Sequence, residues 1–526
     1  MFEDARKIPL DTVVNADVCV VGAGPAGLSL ALQLSSSTRV CLLEAGGLRP
    51  DRATQDLLRG EGPGYLALED AQLSCFGGTT RVWSGWCRPL DESVFRPRDW
   101  MGAVSWPFER EDLDPYYERA HELCELGPYE YDTSWWADES SAPLMLARDL
   151  TTTTVFQFSP PTRFGTTYRR EVSDSPKLQV LLRAVATELV ATESGRRIDR
   201  LRVRTLTGGS FEVAARLYVL AAGGIENPRL LLLSDRSHTG GVGNEHDLVG
   251  RYFMEHPYVN SGWLSLDRDC SSLAFYWPHP VRRNGISTTV RGVFTMPREE
   301  VLSQRLVNCA LFLLPPYEAH PALATKGADA LRVLATSVRR GWLPPDIGRH
   351  VADAVRDPRG TMSAAYLRLR PQGDLDRARR LRLRAYCEPL PRHDQRVALR
   401  RSRDALGRHR VRLAWEPSDL ARRSMRRAHE LMDAAFRQAG LGQVECLLGK
   451  PGEPPIEGGK HHMGTTRMHP DPKRGVVDQN SRVHGADNLF VTGSSVFPTA
   501  GYANPTLTIV ALALRLADHL QARLAD

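Results

Sequence analysis

Residues 17–46 constrain the fold more than any other stretch. Asp17-Val18-Cys19-Val20-Val21 reads as a short apolar strand, and Gly22-Ala23-Gly24-Pro25-Ala26-Gly27 as a Gly-x-Gly-x-x-Gly turn. Leu28 to Ser36 reads as a helix, and Arg39-Val40-Cys41-Leu42-Leu43 as a second strand ending in Glu44. The first glycine of such a turn permits the tight bend, the second lets the backbone approach a pyrophosphate, and the third lets helix and strand pack closely. The helix N-terminus receives the pyrophosphate charge. Glu44 lies twenty residues after Gly24, where a carboxylate accepts hydrogen bonds from ribose hydroxyls. A carboxylate there disfavours a 2′-phosphate, so FAD or NAD suits the unit better than NADP.

Three further blocks belong with this unit. Cys75-Phe76-Gly77-Gly78-Thr79-Thr80-Arg81-Val82-Trp83-Ser84-Gly85-Trp86 is dense in Gly, Ser and Thr. Its amides and hydroxyls suit a polar cofactor, and its indoles suit an apolar ring system. Residues 178–221 are patterned as strands: Leu178–Leu182, Ala186–Val190, Ile198–Arg204, Phe211–Ala215 and Leu217–Gly224, with a helix from Asn227 to Leu233. A strand ending in Ala222-Gly223-Gly224 suits a second crossing beside the same pyrophosphate. Near the C-terminus, Gly475–Asp478 and Asn488–Ser495 are strand candidates, the latter with Gly493 and Ser494 at its C-terminal edge.

The chemistry sits in the last seventy or so residues. His461-His462-Met463-Gly464-Thr465-Thr466-Arg467-Met468 is one piece, and Thr499-Ala500-Gly501-Tyr502-Ala503-Asn504-Pro505-Thr506 the other. Asn504 is a good N-cap and Pro505 a good first helical residue, so a helix is expected through the apolar run after Thr506. Its start is a positive-dipole end with free N–H groups. A histidine and an amide brought to that point can handle a proton and an oxyanion. Taken alone, the His461-His462 pair with His469 nearby reads equally as a metal site or as loop histidines.

Size and composition set outer limits. A chain of 526 residues holds two domains or one large elaborated one. The net charge of +6 is modest, and the Arg-rich stretch 376–412 is interleaved with apolar residues, so it reads as amphipathic surface strands or helices and not as a nucleic-acid surface. The nine cysteines (19, 41, 75, 87, 124, 270, 309, 387 and 446) are scattered, with no Cys-x-x-Cys pair. Reduced thiols and a cytoplasmic location are expected. No signal peptide and no transmembrane run is visible.

Together these blocks resemble the glucose–methanol–choline (GMC) oxidoreductase family. The residues that carry the resemblance are Gly22–Gly27 with Glu44, Gly77-Gly78-Thr79-Thr80 with Trp83, Ala221-Ala222-Gly223 to Leu233, and 458–519. Segment 251–455 carries little of it. The Gly-Thr-Thr-Arg-Met and Ala-Asn-Pro-Thr pieces look most like pyranose-oxidase-like and bacterial sugar or cyclitol members. The resemblance implies FAD and alcohol oxidation by hydride transfer to flavin N5. It maps the family's catalytic pair onto His461 and Asn504, because His461 stands three before Gly464. Val82 stands where some pyranose oxidases attach FAD covalently through histidine, so non-covalent FAD is expected. Gly493 stands where many members have Asp.

The expected cofactor contacts are Gly22, Gly24, Pro25, Ala26, Gly27, Glu44, Ala45, Gly77, Gly78, Thr79, Thr80, Trp83, Ser84, Ala186, Ala222, Gly223, Gly493, Ser494, Asn504, Pro505 and Thr506; no metal is expected. The fold expected is α/β: a Rossmann-like FAD-binding domain discontinuous in sequence, plus an α+β substrate-binding domain with its own mixed sheet. The segments are 1–105 (FAD-binding), 106–175 (a capped surface helix at 106–123, then an excursion or lid), 176–250 (FAD-binding), 251–455 (substrate-binding) and 456–526 (FAD-binding, with the catalytic pair).

The expected substrate is a small-molecule alcohol of sugar-like or amino-sugar type, an aminoglycoside 6′-hydroxyl among them, giving an aldehyde or ketone. Glu453 and Glu457 near the base would favour a cationic substrate, although solvated loop acids are the simpler reading. Oxygen or another carrier accepts the electrons. Open alternatives are a flavoprotein of other chemistry (a monooxygenase or an NAD(P)H-fed reductase), a GMC enzyme acting on a sterol or aliphatic alcohol, and a non-catalytic FAD-binding protein. No second Gly-x-Gly-x-x-Gly is present for a nicotinamide.

Overall fold

The computed structural model describes residues 1–102, 104–267, 271–283, 285–314, 325–340, 347–369 and 379–525. Cys270 and positions 376–378 of the Arg-rich stretch lie outside the described residues.

An eight-stranded sheet forms the floor of the molecule. Its order is Phe2–Asp4, Leu178–Leu182, Val40–Glu44, Val13–Val21, Ser210–Leu220, Ile198–Arg204 and Val185–Ala191, with Leu489–Val491 added alongside Ser210–Leu220. The strands around Val13–Val21 pair in parallel, and the last two of the path antiparallel. Val18 to Val20 and Val40 to Leu43 are buried, as suits strands covered on both faces. The two strands expected at 211–215 and 217–224 are one strand, Ser210–Leu220, paired along Val13–Val21 without a break in helical or turn structure.

Helices α1 (Pro25–Leu34) and α2 (Gly223–Leu233) start directly at the two glycine-ended strand tips. The expected start of α1 at Leu28 is thus three residues late. Pro25 pre-sets the first turn, and the third glycine lies inside the helix. A Cβ on Gly27 would stand 1.9 Å from the Gly22 carbonyl oxygen, so only glycine lets α1 lie this close to its strand.

A nine-stranded sheet forms the roof. Its order is Gly442–Cys446, Pro257–Leu266, Arg380–Cys387, Cys309–Leu314, Ile286–Thr295, Thr152–Phe158 and Trp86–Cys87, with His279–Arg283 and Glu457–Gly458 on its sides. Every described pairing in it is antiparallel. The sheet expected for this half was mixed. Its strands follow each other by hairpins and returns, so no parallel crossover arises. Thr152–Phe158 is an inner strand, so the stretch read as an excursion supplies part of the roof. Arg380–Cys387 is likewise an inner strand: Leu381, Leu383, Ala385 and Cys387 are buried, and the arginines alternate onto the other face.

The buried face of the roof packs on α3 (Asp419–Gln438), where Met425, Met432 and Phe436 meet Leu311, Leu313, Leu381 and Leu383. Ser418 caps α3 by accepting the Ala421 amide at 3.1 Å. The opposite face carries Phe156, Phe312 and Tyr386, which cluster with Tyr502 of the loop before the last helix, and looks toward the floor. Three helices, Lys326–Arg340, Ile347–Arg356 and Pro358–Leu369, connect two roof strands. The last helix, α4 (Thr506–Ala525), packs against α1. No described helix is long and apolar enough to cross a membrane.

Around α4 two details differ from the sequence expectation. The helix begins at Thr506, not Pro505. The strand expected at 475–478 is reduced to isolated bridges at Val477, because the chain there crosses two neighbours without running along either. The surface helix expected at 106–123 is a 3₁₀ turn, Arg110–Leu113, followed by Asp114–Leu123, with Glu109 and Asp112 forming the capping box.

Candidate active site

A cavity of about 710 Å³ runs between floor and roof. Glu44 and Ala45, Gly22, Gly24, Pro25 and Ala26, and His461, Asn504, Pro505 and Thr506 all line it. Gly78, Thr79, Trp83, Ser84, Ala186, Ala222, Gly223, Gly493 and Ser494 also line it. Gly27, Gly77 and Thr80 stand behind the lining. Thr80 donates its hydroxyl proton to the Gly77 carbonyl at 2.6 Å and so folds the loop whose neighbours Gly78 and Thr79 face the cavity.

The glycine turn has the form a pyrophosphate requires. A Cβ on Gly24 would meet no atom within 4 Å, so the backbone there faces open space. Gly22 has φ +105°, and a Cβ on it would stand 2.8 Å from the Ala221 carbonyl oxygen. The buried Glu44 carboxylate accepts the Ala23 amide at 3.0 Å and the Gly46 amide at 2.8 Å. Burial raises its pKa above the usual carboxylate range. A carboxylate has about four acceptor positions, so it retains capacity for ribose hydroxyls. A cavity of this volume lined by a bare glycine turn, a carboxylate and a helix start fits FAD.

Two hydrogen-bonded ladders position the reactive end. His461 follows the short strand Glu457–Gly458, whose Gly458 pairs with Pro257 at the start of a roof strand. The amides of Gly464, Thr466 and Met468 donate to the carbonyls of Ser494, Ser495 and Val496 at 2.8 to 3.1 Å. Asn227 ties α2 to the same edge, accepting the Ala222 amide at 2.7 Å and donating to Ser495 Oγ at 2.9 Å.

The adjacent histidines both line the cavity, but their rings take different partners. The His462 ring turns to the Tyr65 hydroxyl at 3.1 Å and packs on Phe253. His461 lines the cavity, and Asn504 Nδ2 donates to its Nε2 at 3.3 Å. The Asn504 side chain turns to His461, and the start of α4 reaches the cavity wall at Thr506, where first-turn amides lack helical partners. Burial pushes the pKa of His461 well below the ordinary imidazole value and that of His462 to about 3.

Behind His461 stand residues that the sequence reading missed. Glu255 is fully buried, and its two carboxylate oxygens accept the His461 backbone amide at 2.8 and 3.0 Å. It also accepts the Tyr65 hydroxyl in a short hydrogen bond. Burial raises its pKa to about 7. His256 stands against His461, Nδ1 to Nδ1 at 2.8 Å, with the rings at 84°. The signal, Glu255-His256-Pro257 at a strand start, carries no weight until the ladder places it beside residue 461.

The roof contributes Trp86, Arg291, Leu314, Arg384 and Tyr386 to the cavity. Arg291 is held by the Tyr276 carbonyl at 3.1 Å and lies over the Trp86 and Phe312 rings. Arg384 donates from Nε to Asn260 at 2.8 Å. The acids expected beside the base face elsewhere: Glu453 pairs with Arg422, and Glu457 accepts the Tyr258 hydroxyl at 2.5 Å.

A two-layer flavin fold whose cavity is lined by a histidine–amide pair together with the glycine turn is that of an FAD-dependent oxidoreductase acting on CH–OH groups. The sequence profile described as GMC oxidoreductase matches residues 391–513. The 2-methyl-1,2-propanediol dehydrogenase of Mycolicibacterium austroafricanum is 24% identical over 97% of this chain and 96% of its own length. The 6'''-hydroxyparomomycin C oxidase of Streptomyces lividus is 28% identical over 60% of this chain and 47% of its own. The crystal structure of a pyridoxine 4-oxidase from "Mesorbium loti" shares the fold, with TM-score 0.55, 18% identity and coverage of 97% of this chain and 99% of that one. The chain resembles GMC oxidoreductases, through the profile over residues 391–513 and through these relatives.

Proposed function

We propose that the enzyme oxidises a hydroxyl of a sugar-like substrate to the aldehyde or ketone, with His461 taking the hydroxyl proton and Asn504 holding the hydroxyl oxygen. One observation carries this reading: His461 Nε2 and Asn504 Nδ2 stand 3.3 Å apart on the wall of the cavity that also holds the glycine turn and Glu44. FAD, when bound, supplies the acceptor for the hydride leaving the carbinol carbon.

The chain's own residues manage the proton. Burial keeps His461 neutral near pH 7, so its Nε2 lone pair is available. An alcohol oxygen that accepts from Asn504 Nδ2 is placed to give its proton to that lone pair. The start of α4 turns its positive end toward the cavity and favours negative charge on what binds there. Gly22, Gly24, Ala26 and Glu44 would hold the dinucleotide, and Val82 offers no group for a covalent link.

The roof favours a ring-shaped, hydroxyl-rich substrate that is not cationic. Trp86 and Tyr386 offer faces for the C–H side of a sugar, while Arg291 and Arg384 are donors only. None of the five residues that the roof contributes is acidic. An amino-sugar, the other form of the expected substrate, would bring like charge to these guanidinium groups.

Anaerobic bleaching of the flavin by a panel of sugars, aminoglycosides, sterols and aliphatic alcohols tests the proposal. Bleaching by neutral sugars is expected, and bleaching only by sterols or aliphatic alcohols rejects it. Readmission of air then shows whether oxygen accepts the electrons.

A further inference from the structure

We infer that His256 is a positioning residue that fixes the proton of His461 on Nδ1 and so leaves Nε2 free as the base. The inference rests on His461 being the base, as proposed above.

The hydrogen bonds around the two rings admit one proton arrangement for neutral imidazoles. His256 Nε2 stands 2.9 Å from the Gly501 carbonyl oxygen. A carbonyl only accepts, so this nitrogen carries a proton. His256 is fully buried, which pushes its pKa down to about 4 and keeps the ring neutral at pH 7. A neutral imidazole carries one proton, so His256 Nδ1 is an acceptor. Its partner at 2.8 Å, His461 Nδ1, must then donate. His461 therefore holds its single proton on Nδ1, and Nε2 keeps a lone pair toward Asn504 Nδ2 at 3.3 Å.

The donors form a directed path: Asn504 to His461, His461 to His256, His256 to Gly501. It begins and ends in one loop, residues 501–504. The backbone of His461 is gripped separately by Glu255 at 2.8 and 3.0 Å. Removing the His256 acceptor therefore frees the ring without releasing the chain. Reversal of the two His461 nitrogens would put a proton where the base must accept one, and a histidine in the wrong tautomer loses up to about 10⁴-fold in rate in a hydrolase triad.

The test compares two variants with the wild-type holoenzyme. His256→Leu removes the acceptor. His256→Asn places an amide oxygen near the position of Nδ1. His256→Leu is expected to lower the limiting rate of flavin reduction by about 10²- to 10⁴-fold, with FAD content and the half-saturating substrate concentration unchanged. His256→Asn is expected to recover most of that loss. Wild-type rate in His256→Leu, or a loss confined to FAD content or substrate affinity, overturns the inference. So does an asparagine variant as slow as the leucine one.

A second readout needs no turnover and does not depend on the variants folding. In ¹⁵N-histidine-labelled wild-type protein at pH 7, His461 should show a protonated Nδ1 and an unprotonated Nε2. A proton on Nε2 overturns the inference whatever the rates. Wild-type flavin reduction in His461→Ala removes the base assignment itself, and the inference with it; wild-type reduction in His256→Leu alone leaves that assignment standing.

Discussion

The floor of the cavity takes its Gly-x-Gly turn and Glu44 from residues 22–44, whereas the roof takes Trp86, Arg291, Leu314, Arg384 and Tyr386 from four strands spread over residues 86–386. The floor works through backbone: bare amides, a helix start and positions that a Cβ would close. The roof works through side-chain tips on an antiparallel sheet whose other face is packed on α3. Substitutions in the floor should therefore abolish binding, and substitutions in the roof should tune it.

The largest expected break of this contrast is Gly24→Leu. A Cβ there meets nothing within 4 Å, so the fold should tolerate it, while the rest of the side chain fills the space the pyrophosphate needs. The expected product has normal circular dichroism and no flavin absorbance; a full complement of FAD would contradict the assignment of the turn. Next comes His461→Ala, which should keep FAD and slow flavin reduction by about 10²- to 10⁴-fold in stopped-flow absorbance. His462→Ala sharpens the point, since its ring faces Tyr65 and Phe253 and its reduction rate should stay within about tenfold of wild type.

In the roof, Arg384→Leu should leave FAD content and the limiting reduction rate alone. It should raise the half-saturating substrate concentration by about 10- to 100-fold, the worth of one hydrogen bond from a charged donor. Loss of FAD in this variant would erase the division between the two walls.

The smallest effect is on stability against pH. Burial lowers His256 and His462 to about 4 and about 3 and lowers His461 well below the ordinary imidazole value. These rings stay neutral in the folded protein while the unfolded chain takes up protons below about pH 6.5. Their contribution is complete above pH 6.5 and is lost as the pH falls toward 4 and 3. Glu255, raised to about 7, acts in the opposite sense and loses its contribution as the pH rises from 4.5 to 7. His256→Asn should therefore flatten the acid side of the stability curve by about 1.4 kcal/mol per pH unit. Urea midpoints between pH 6.5 and 4.5 would show it, and parallel curves would refute the burial of a neutral His256.

The two walls also differ in how far the sequence discloses them. A glycine turn between strand and helix is a local constraint, so residues 22–44 announce the fold and the dinucleotide on their own. The Ile198–Arg204 strand is legible for the same reason, through its alternation. The roof is not, because Arg380–Cys387 alternates arginine with leucine and reads as surface until Pro257–Leu266 and Cys309–Leu314 flank it. His256 is invisible for a stronger reason: its meaning comes from the Pro257–Gly458 pairing, which joins residues two hundred positions apart. Asn504 is a different case. Its position before a proline and an apolar run is that of a helix cap, yet α4 starts at Thr506 and the amide turns to His461. Local capping preference lost to a tertiary contact.

The strand Leu489–Val491 lies beside Ser210–Leu220 in the floor, and it leads into the loop that holds Gly501 and Asn504. During translation the glycine turn leaves the ribosome more than four hundred and fifty residues before this strand. A nascent chain can thus own the phosphate-binding bend while lacking the sheet edge, the amide and the histidine that would use it. A polypeptide interrupted before this strand therefore carries the bend without the loop that brings Asn504 to His461.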